Sequence, residues 1–413
     1  MKMKALQYFT ATLAALMMLA SCGEDRTHEY IEKTQENQWI YSTMKEVYLW
    51  ADEIKSPERT EFFGTTSKFF SSLLSTEDKV SFFSDSIQTA SYGLTYAIMR
   101  DPIGEKPSRY YALALYVEPG SSAEIAGIER GTWISAIDGK ALSSSSGKQL
   151  ETGGSVTIAT SFIDYDDDNG KYLWVTGDTL TMPAALEFKS EAIYLDTTFV
   201  TRSGKIGYIV CSNLNGDSFT DEIGEIMLTY AAEDISDMII DLRYCQGGSM
   251  ENAAVLASIL VPASLTGTPF ASLQGRDKNT LTTYAYSNQT VNISDKRMFF
   301  ITGKATEGIA ELLVESVNAS RGMHEVVIVG EQSAGANLLV EKYDSPYGFS
   351  INPAIAVMCA SDGTPLTTQG VEPDHVLNEL EEPEQFFGLG NEQEYILRNI
   401  EYLIANGSLP AEM

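Results

Sequence analysis

From Gly204 to about Leu377, apolar runs of strand length alternate with amphipathic stretches of helix length, and this alternation limits the possible folds more than any other feature. The runs GKIGYIVC (Gly204–Cys211), DMIIDLR (Asp237–Arg243), RMFFITG (Arg297–Gly303) and EVVIVGE (Glu325–Glu331) each hold three or more consecutive apolar residues rather than a strict alternation. Strands of that kind are covered on both faces, as in parallel sheets. The stretches between them predict helices over Ser218–Ala232, Met250–Leu260 and Thr306–Val317, and the tail Glu392–Ala405 has helical periodicity. The expectation is an α/β fold with a parallel-rich βαβ core.

Upstream of this core, Trp39, Ile40, Met44, Val47, Tyr48 and Trp50 follow helical spacing, and an aromatic-rich stretch continues to about residue 85. The segment YVEPGSSAEIAGIERGTWISAIDGKAL (Tyr116–Leu142) reads as a strand, a turn at Pro119-Gly120, a short helix closed by Gly127, a turn at Gly131, a strand, and a turn at Asp138-Gly139. Asp164, Asp166 and Asp168 alternate before Asn169-Gly170 as in a calcium loop, but the sixth and twelfth loop positions hold Asn169 and Val175 in place of glycine and glutamate. A solvated hairpin turn is the better reading. No metal and no cofactor are expected.

At the N-terminus, Lys2 and Lys4 precede an apolar run that ends in Leu19-Ala20-Ser21-Cys22, the pattern of a bacterial lipoprotein signal with Cys22 as the lipidated residue. The run is interrupted by Gln7 and Thr12 and falls short of the ~20 apolar residues of a membrane span. The expected location is the bacterial cell envelope, periplasmic or surface-facing, with the membrane reached through the lipid anchor only. A net charge of −29 repels phosphate backbones and argues against a nucleic-acid partner. After Cys22, only Cys211, Cys245 and Cys359 remain, which allows at most one disulfide; buried free thiols are expected.

Three further segments carry the chemistry: DLRYCQGGS (Asp241–Ser249), GKATEGIAELL (Gly303–Leu313) and GEQSAGAN (Gly330–Asn337). Together with GTPLTTQGVEPDHV (Gly363–Val376), they resemble the catalytic domain of the tail-specific, or C-terminal processing, peptidases, a serine-peptidase family. The stretch Tyr116–Leu142 is similar to protease-associated PDZ domains, and the aromatic segment after Trp39 resembles the family's helical N-terminal part. After the lipoprotein signal over 1–22 and a polar, aperiodic linker over 23–35, the resemblance implies a helical segment over 36–88, a PDZ-like domain over 89–188 and a protease-like core over 189–413. In the PDZ-like part it implies that Tyr92-Gly93-Leu94 is the loop whose amides take a peptide's terminal carboxylate, with Gly93 and Leu94 as the binding residues.

Anchored on Glu311 and Leu312, the resemblance puts Gly308 at the nucleophilic serine. Anchored on Gly330, Glu331 and Gly335, it puts Ala336 at the general-base lysine and Val340 at a supporting glutamine. Neither glycine nor alanine can attack a carbonyl or accept a proton. Gly247 and Gly248 stand at the oxyanion-hole turn. Thr306 is the nearest hydroxyl but is rotated off the face of Gly308, and Ser333 reads as a turn element. Cys245 is the one alternative nucleophile, yet none of the three histidines, His28, His324 and His375, is placed near it by sequence.

Three readings stay open at this point. One is a lipid-anchored homologue that binds polypeptide C-termini or unfolded segments without hydrolysis. The second is an active endopeptidase acting on envelope proteins, using Cys245 or a Ser/Lys pair brought in by a different fold of 303–340. The third is a non-enzymatic scaffold lipoprotein.

Overall fold

The computed structural model describes residues 27–85, 90–150, 153–321 and 326–410. The signal segment with Cys22, the start of the expected linker, and His324 lie outside them. The chain divides into two units: the described residues up to Asp85 together with Lys342–Pro353, and the remainder.

The first unit is built on a helix, Thr27–Val47, which takes up most of the expected 23–35 linker. The linker reading fails because the segment has tertiary partners its composition does not announce. The Tyr30 ring packs edge-on to Phe63 at 5.5 Å and lies 4.3 Å from the Arg59 guanidinium carbon. Asn37, buried, donates its Nδ2 to the carbonyls of Phe62 and Gly64 at 2.9 and 2.7 Å. Neither glycine nor proline interrupts the helix, and Ile40, Met44 and Tyr48 recur every four residues on one face. All three are buried, as are Phe69, Phe70 and Leu73 of the helix Thr66–Leu73. Each full burial of this kind stabilises by about 1.5–3 kcal/mol. Distant residues complete the unit: Phe82–Ser84 pairs antiparallel with Ser350–Asn352, which pairs with Tyr343–Asp344.

In the second unit, an antiparallel sheet runs in the order Leu94–Arg100, Tyr110–Val117, Trp133–Ile137, Val156–Asp166, Lys171–Met182. Ala112, Ala114, Val117, Ile134, Ile158 and Met182 form its core with Tyr92. The helix Ser122–Ile125 starts on Ser121, whose hydroxyl accepts the Glu124 N–H at 3.3 Å. The Asp164–Asp168 alternation ends in a hairpin turn. There the Asp166 carboxylate accepts from the amides of Asp168 and Asn169 and from Asn169 Nδ2, and these bonds hold its carboxyl below its usual range.

The core sheet runs in the order His375–Val376, Val326–Gly330, Arg297–Thr302, Asp237–Asp241, Gly204–Cys211, all parallel, with Ile193–Thr201 antiparallel at the edge. Both faces are covered. Met238 and Ile240 pack with the helices Phe219–Ala232, Met250–Leu260 and Ile309–Arg321, whereas Ile239 packs with the C-terminal helix Tyr395–Asn406. Two-sided cover explains why these strands read as continuous apolar runs. A second antiparallel sheet, in the order Thr280–Ala285, Pro269–Gln274, Ala354–Cys359, Leu338–Val340, had no counterpart in the sequence reading.

Candidate active site

Each strand of a parallel sheet presents the loop after its C-terminal end to one edge, where ligand crevices form. Here the turns after Asp241, Thr302 and Gly330 meet at that edge. Glu307 N donates to Cys245 O at 3.0 Å and Ala334 N to Thr306 O at 3.0 Å, so backbone bonds stitch the three segments together. The third helix begins at Ile309 and not at the expected Thr306. Thr306 is fully buried; its hydroxyl donates to Leu242 O at 2.8 Å and accepts the Gly303 N–H at 2.9 Å. Gly308 follows at φ 61°, which no helix continues through. The hydroxyl nearest Gly308 in sequence is therefore spent on backbone.

The Glu311 carboxylate organises the site. It is 2% exposed. One oxygen accepts the amides of Gly308 at 2.9 Å and Ala336 at 2.8 Å, and the other accepts the amide of Gly335 at 2.7 Å and the hydroxyl of Ser333. The two positions expected for nucleophile and base thus share a single carboxylate oxygen. The sequence reading used Glu311 only as an anchor of register, and its capping role was missed. A glutamate three residues into a helix, facing the helix amides, was the available signal. Ser333 also accepts the Val371 N–H at 2.6 Å, which fits the turn role expected for it.

Gly247 and Gly248 have φ of 86° and 148°, in the range that favours glycine. They differ in purpose. A Cβ on Gly248 would stand 2.5 Å from Leu214 Cβ, so glycine there permits close packing of two chain segments. A Cβ on Gly247 would meet Glu307 O at 3.6 Å and Ile309 N at 4.0 Å, so Gly247 lies against Gly308. Among the described residues, no oxygen accepts from the N–H of Gly247 or Gly248.

Cys245 does not have the surroundings of a nucleophile. It is fully buried, its Sγ donates to Gly247 O at 3.7 Å, and burial pushes its thiol up to about 12, with the Gly247 backbone pulling the other way. His375 sits on the strand His375–Val376, three strand spacings or roughly 14 Å across the sheet from Asp237–Asp241. All three cysteines from Cys211 on are free and buried.

The loop expected to take a peptide's terminal carboxylate leads into the edge of the antiparallel sheet. Gly93, at φ 66°, donates its amide to Ser91 Oγ at 3.1 Å, and its carbonyl accepts from Glu118 N. Leu94 opens the edge strand of the antiparallel sheet.

Behind the turn at Tyr244 lies a buried charge network with no warning in the sequence pattern. Arg243 pairs with Asp241 at 2.8 Å and with Glu394 at 2.7 Å, and Arg130 pairs with Glu379 at 2.8 Å. Tyr244 accepts from Arg130 and donates to Glu379. The network ties the antiparallel sheet to the core and to the C-terminal helix.

Residues 205–377 match the profile of Peptidase family S41, and residues 35–84 match the Peptidase S41 N-terminal domain. The chain carries peptidase S41 family domains. Among solved structures, an S41 protease candidate from Bacteroides fragilis superposes with a TM-score of 0.75 at 22% identity, covering 90% of this chain and 97% of that one. The photosystem II D1 C-terminal processing protease gives 0.54 at 16% identity, covering 89% and 97%. Mature CPAF gives 0.51 at 11% identity, covering 92% and 99%. At these identities the structural likeness is one of fold. The S41 profile spans all three converging turns and the GVEPD segment, where the Asp374 carboxylate accepts from Ile328 N at 2.8 Å and sets the strand His375–Val376 beside Val329.

Proposed function

We propose that this S41 homologue holds extended polypeptide without cleaving it, as a lipid-anchored protein of the bacterial envelope with a PDZ-like sheet beside a vestigial catalytic cleft. One observation carries the reading. The amides of Gly308 and Ala336 share one oxygen of Glu311, so the two loops meet as in a nucleophile–base pair, while the side chains there are a hydrogen and a methyl. The nearby groups that would replace them are engaged: Thr306 and Ser333 in hydrogen bonds, Cys245 buried with a raised thiol. Polypeptide C-termini or unfolded segments are the proposed partners. The outer edge of the strand Leu94–Arg100 and the Gly247–Gly248 turn supply donors and acceptors for an extended chain.

The test is turnover of unfolded protein and free-tailed peptides by the full chain, beside Cys245→Ala and the double variant Gly308→Ser/Ala336→Lys. The natural chain and Cys245→Ala are expected to bind without turnover, and any hydrolysis is expected in the double variant only. Cleavage by the natural chain that Cys245→Ala abolishes would make it a thiol enzyme and end the proposal.

A further inference from the structure

A cavity of about 230 Å³ separates the Gly93 loop from the Gly247 turn. Thr95, Tyr116 and Glu118 of the antiparallel sheet and Ser190, Asn215 and Gln246 of the core are among its walls; every lining residue carries a hydrogen-bonding side chain, and none is lysine or arginine. Glu118 is its one carboxylate and adjoins the Gly93 loop, its Cβ standing 3.0 Å from where a Cβ on Gly93 would be, and Gln246, also in the lining, precedes Gly247. Tyr116 OH donates to Glu118 at 3.2 Å, yet no cation pairs with Glu118 among the described residues. Burial raises the Glu118 carboxyl above its usual range, with hydrogen bonds from Ser190 and Tyr116 opposing.

These features disfavour a terminal carboxylate. The Gly93 amide is taken by Ser91, a negative group adjoins it, and the two guanidiniums behind Tyr244, Arg130 and Arg243, are outnumbered by Asp241, Glu379 and Glu394. The same features suit a cation. A lysine or arginine can lay its aliphatic stem on the tyrosine wall, where Tyr116 and Tyr244 stack at 5.2 Å, and bring its head to Glu118 and the surrounding oxygens. We infer that this cavity is a subsite for a basic side chain within a bound polypeptide, so that the chain selects internal lysine or arginine over a free C-terminus. This rests on the polypeptide-holding reading above and supplies its substrate class.

Fluorescence anisotropy with the full chain decides it. The probes are an unstructured labelled peptide with one central lysine, its glutamine counterpart, and the C-terminally amidated form of each. At low salt the lysine peptide is expected to bind about tenfold more tightly than the glutamine peptide, with added salt eroding the difference, and amidation is expected to leave each affinity within about twofold. Glu118→Gln is expected to erase the lysine preference while retaining the glutamine peptide. Equal affinity for lysine and glutamine peptides, or a loss on amidation as large as the predicted lysine effect, overturns the subsite and leaves the holding function intact. No binding of any peptide removes both.

Discussion

Alanine at Gly308 is expected to cost the fold little, and alanine at Gly335 to cost it much, although both glycines lie around the same carboxylate. At Gly308 the backbone φ of 61° penalises an L residue by about 1–2 kcal/mol, and the stiffer unfolded chain returns about 0.4–1 kcal/mol. Space is not limiting there, since the nearest heavy atom to the new Cβ is Met358 Cε at 3.9 Å. The net loss is about 0–1.6 kcal/mol. At Gly335 the backbone penalty is similar, but the Cβ would lie 2.3 Å from Thr368 O and 2.6 Å from its carbonyl carbon. Backbone must move, and the 2.7 Å bond from Gly335 N to Glu311 moves with it, a charged hydrogen bond of about 1.5–3 kcal/mol. The loss there exceeds about 3 kcal/mol. Equilibrium urea unfolding of the two variants, compared at unchanged m, measures the difference. Losses equal to within about 0.5 kcal/mol, or a larger loss at Gly308, would refute the geometry of both turns.

Glu311→Gln replaces an oxygen that faces amides with an NH2 group, and a loss of about 2–4 kcal/mol is expected in the same titration; less than 1 kcal/mol would remove the carboxylate from its organising role. Arg243→Met leaves Asp241 buried without its ion-pair partner and Glu394 with only the 3.4 Å contact to Arg130, which is expected to cost about 3–5 kcal/mol by thermal or urea unfolding, whereas a neutral result would show the network to be dispensable. Burial opposes ionisation of Glu394, but Arg243 and then Arg130 overcome it and hold its carboxyl below the usual range. Its contribution is therefore complete above the unfolded value near pH 4.3 and is lost as pH falls through the folded one, and Glu394→Gln is expected to flatten the acid limb of stability against pH. Cys245, raised to about 12 by burial, has the opposite sign. Its contribution is full below the unfolded thiol value near 9 and is lost as pH rises toward 12, and in the native state at pH 8 it is expected to resist iodoacetamide until the chain unfolds.

The parallel core was legible because its strands are buried on both faces and its helices on one, which leaves two distinct periods in the chain. The helices Phe219–Ala232 and Met250–Leu260 fall at or within one residue of where periodicity puts them. The third begins late because Thr306 turns inward to bond Leu242 O, a tertiary contact. The antiparallel sheet Pro269–Cys359 was not legible, since its strands are short, partly exposed and drawn from distant segments. The N-terminal helix was misread as linker for a related reason: its outer turns are polar, and what holds them is packing against Arg59 and Phe63.

By itself, the sequence determined that Gly308 and Ala336, the positions the resemblance assigns to a serine and a lysine, carry no group able to attack a carbonyl or accept a proton, because a missing side chain needs no coordinates to be recognised as chemically inert. It also determined the order of strands and turns that brings those two positions to one edge of a sheet. Only the tertiary structure decided what fills the space between them. The Glu311 carboxylate receives amides from both loops, the Thr306 hydroxyl is spent on Leu242, burial raises the Cys245 thiol, and Glu118, beside the Gly93 loop, lines a cavity with no lysine or arginine in its walls. Those outcomes depend on distance and desolvation between residues tens to hundreds of positions apart, and neither quantity is written in a local pattern of side chains.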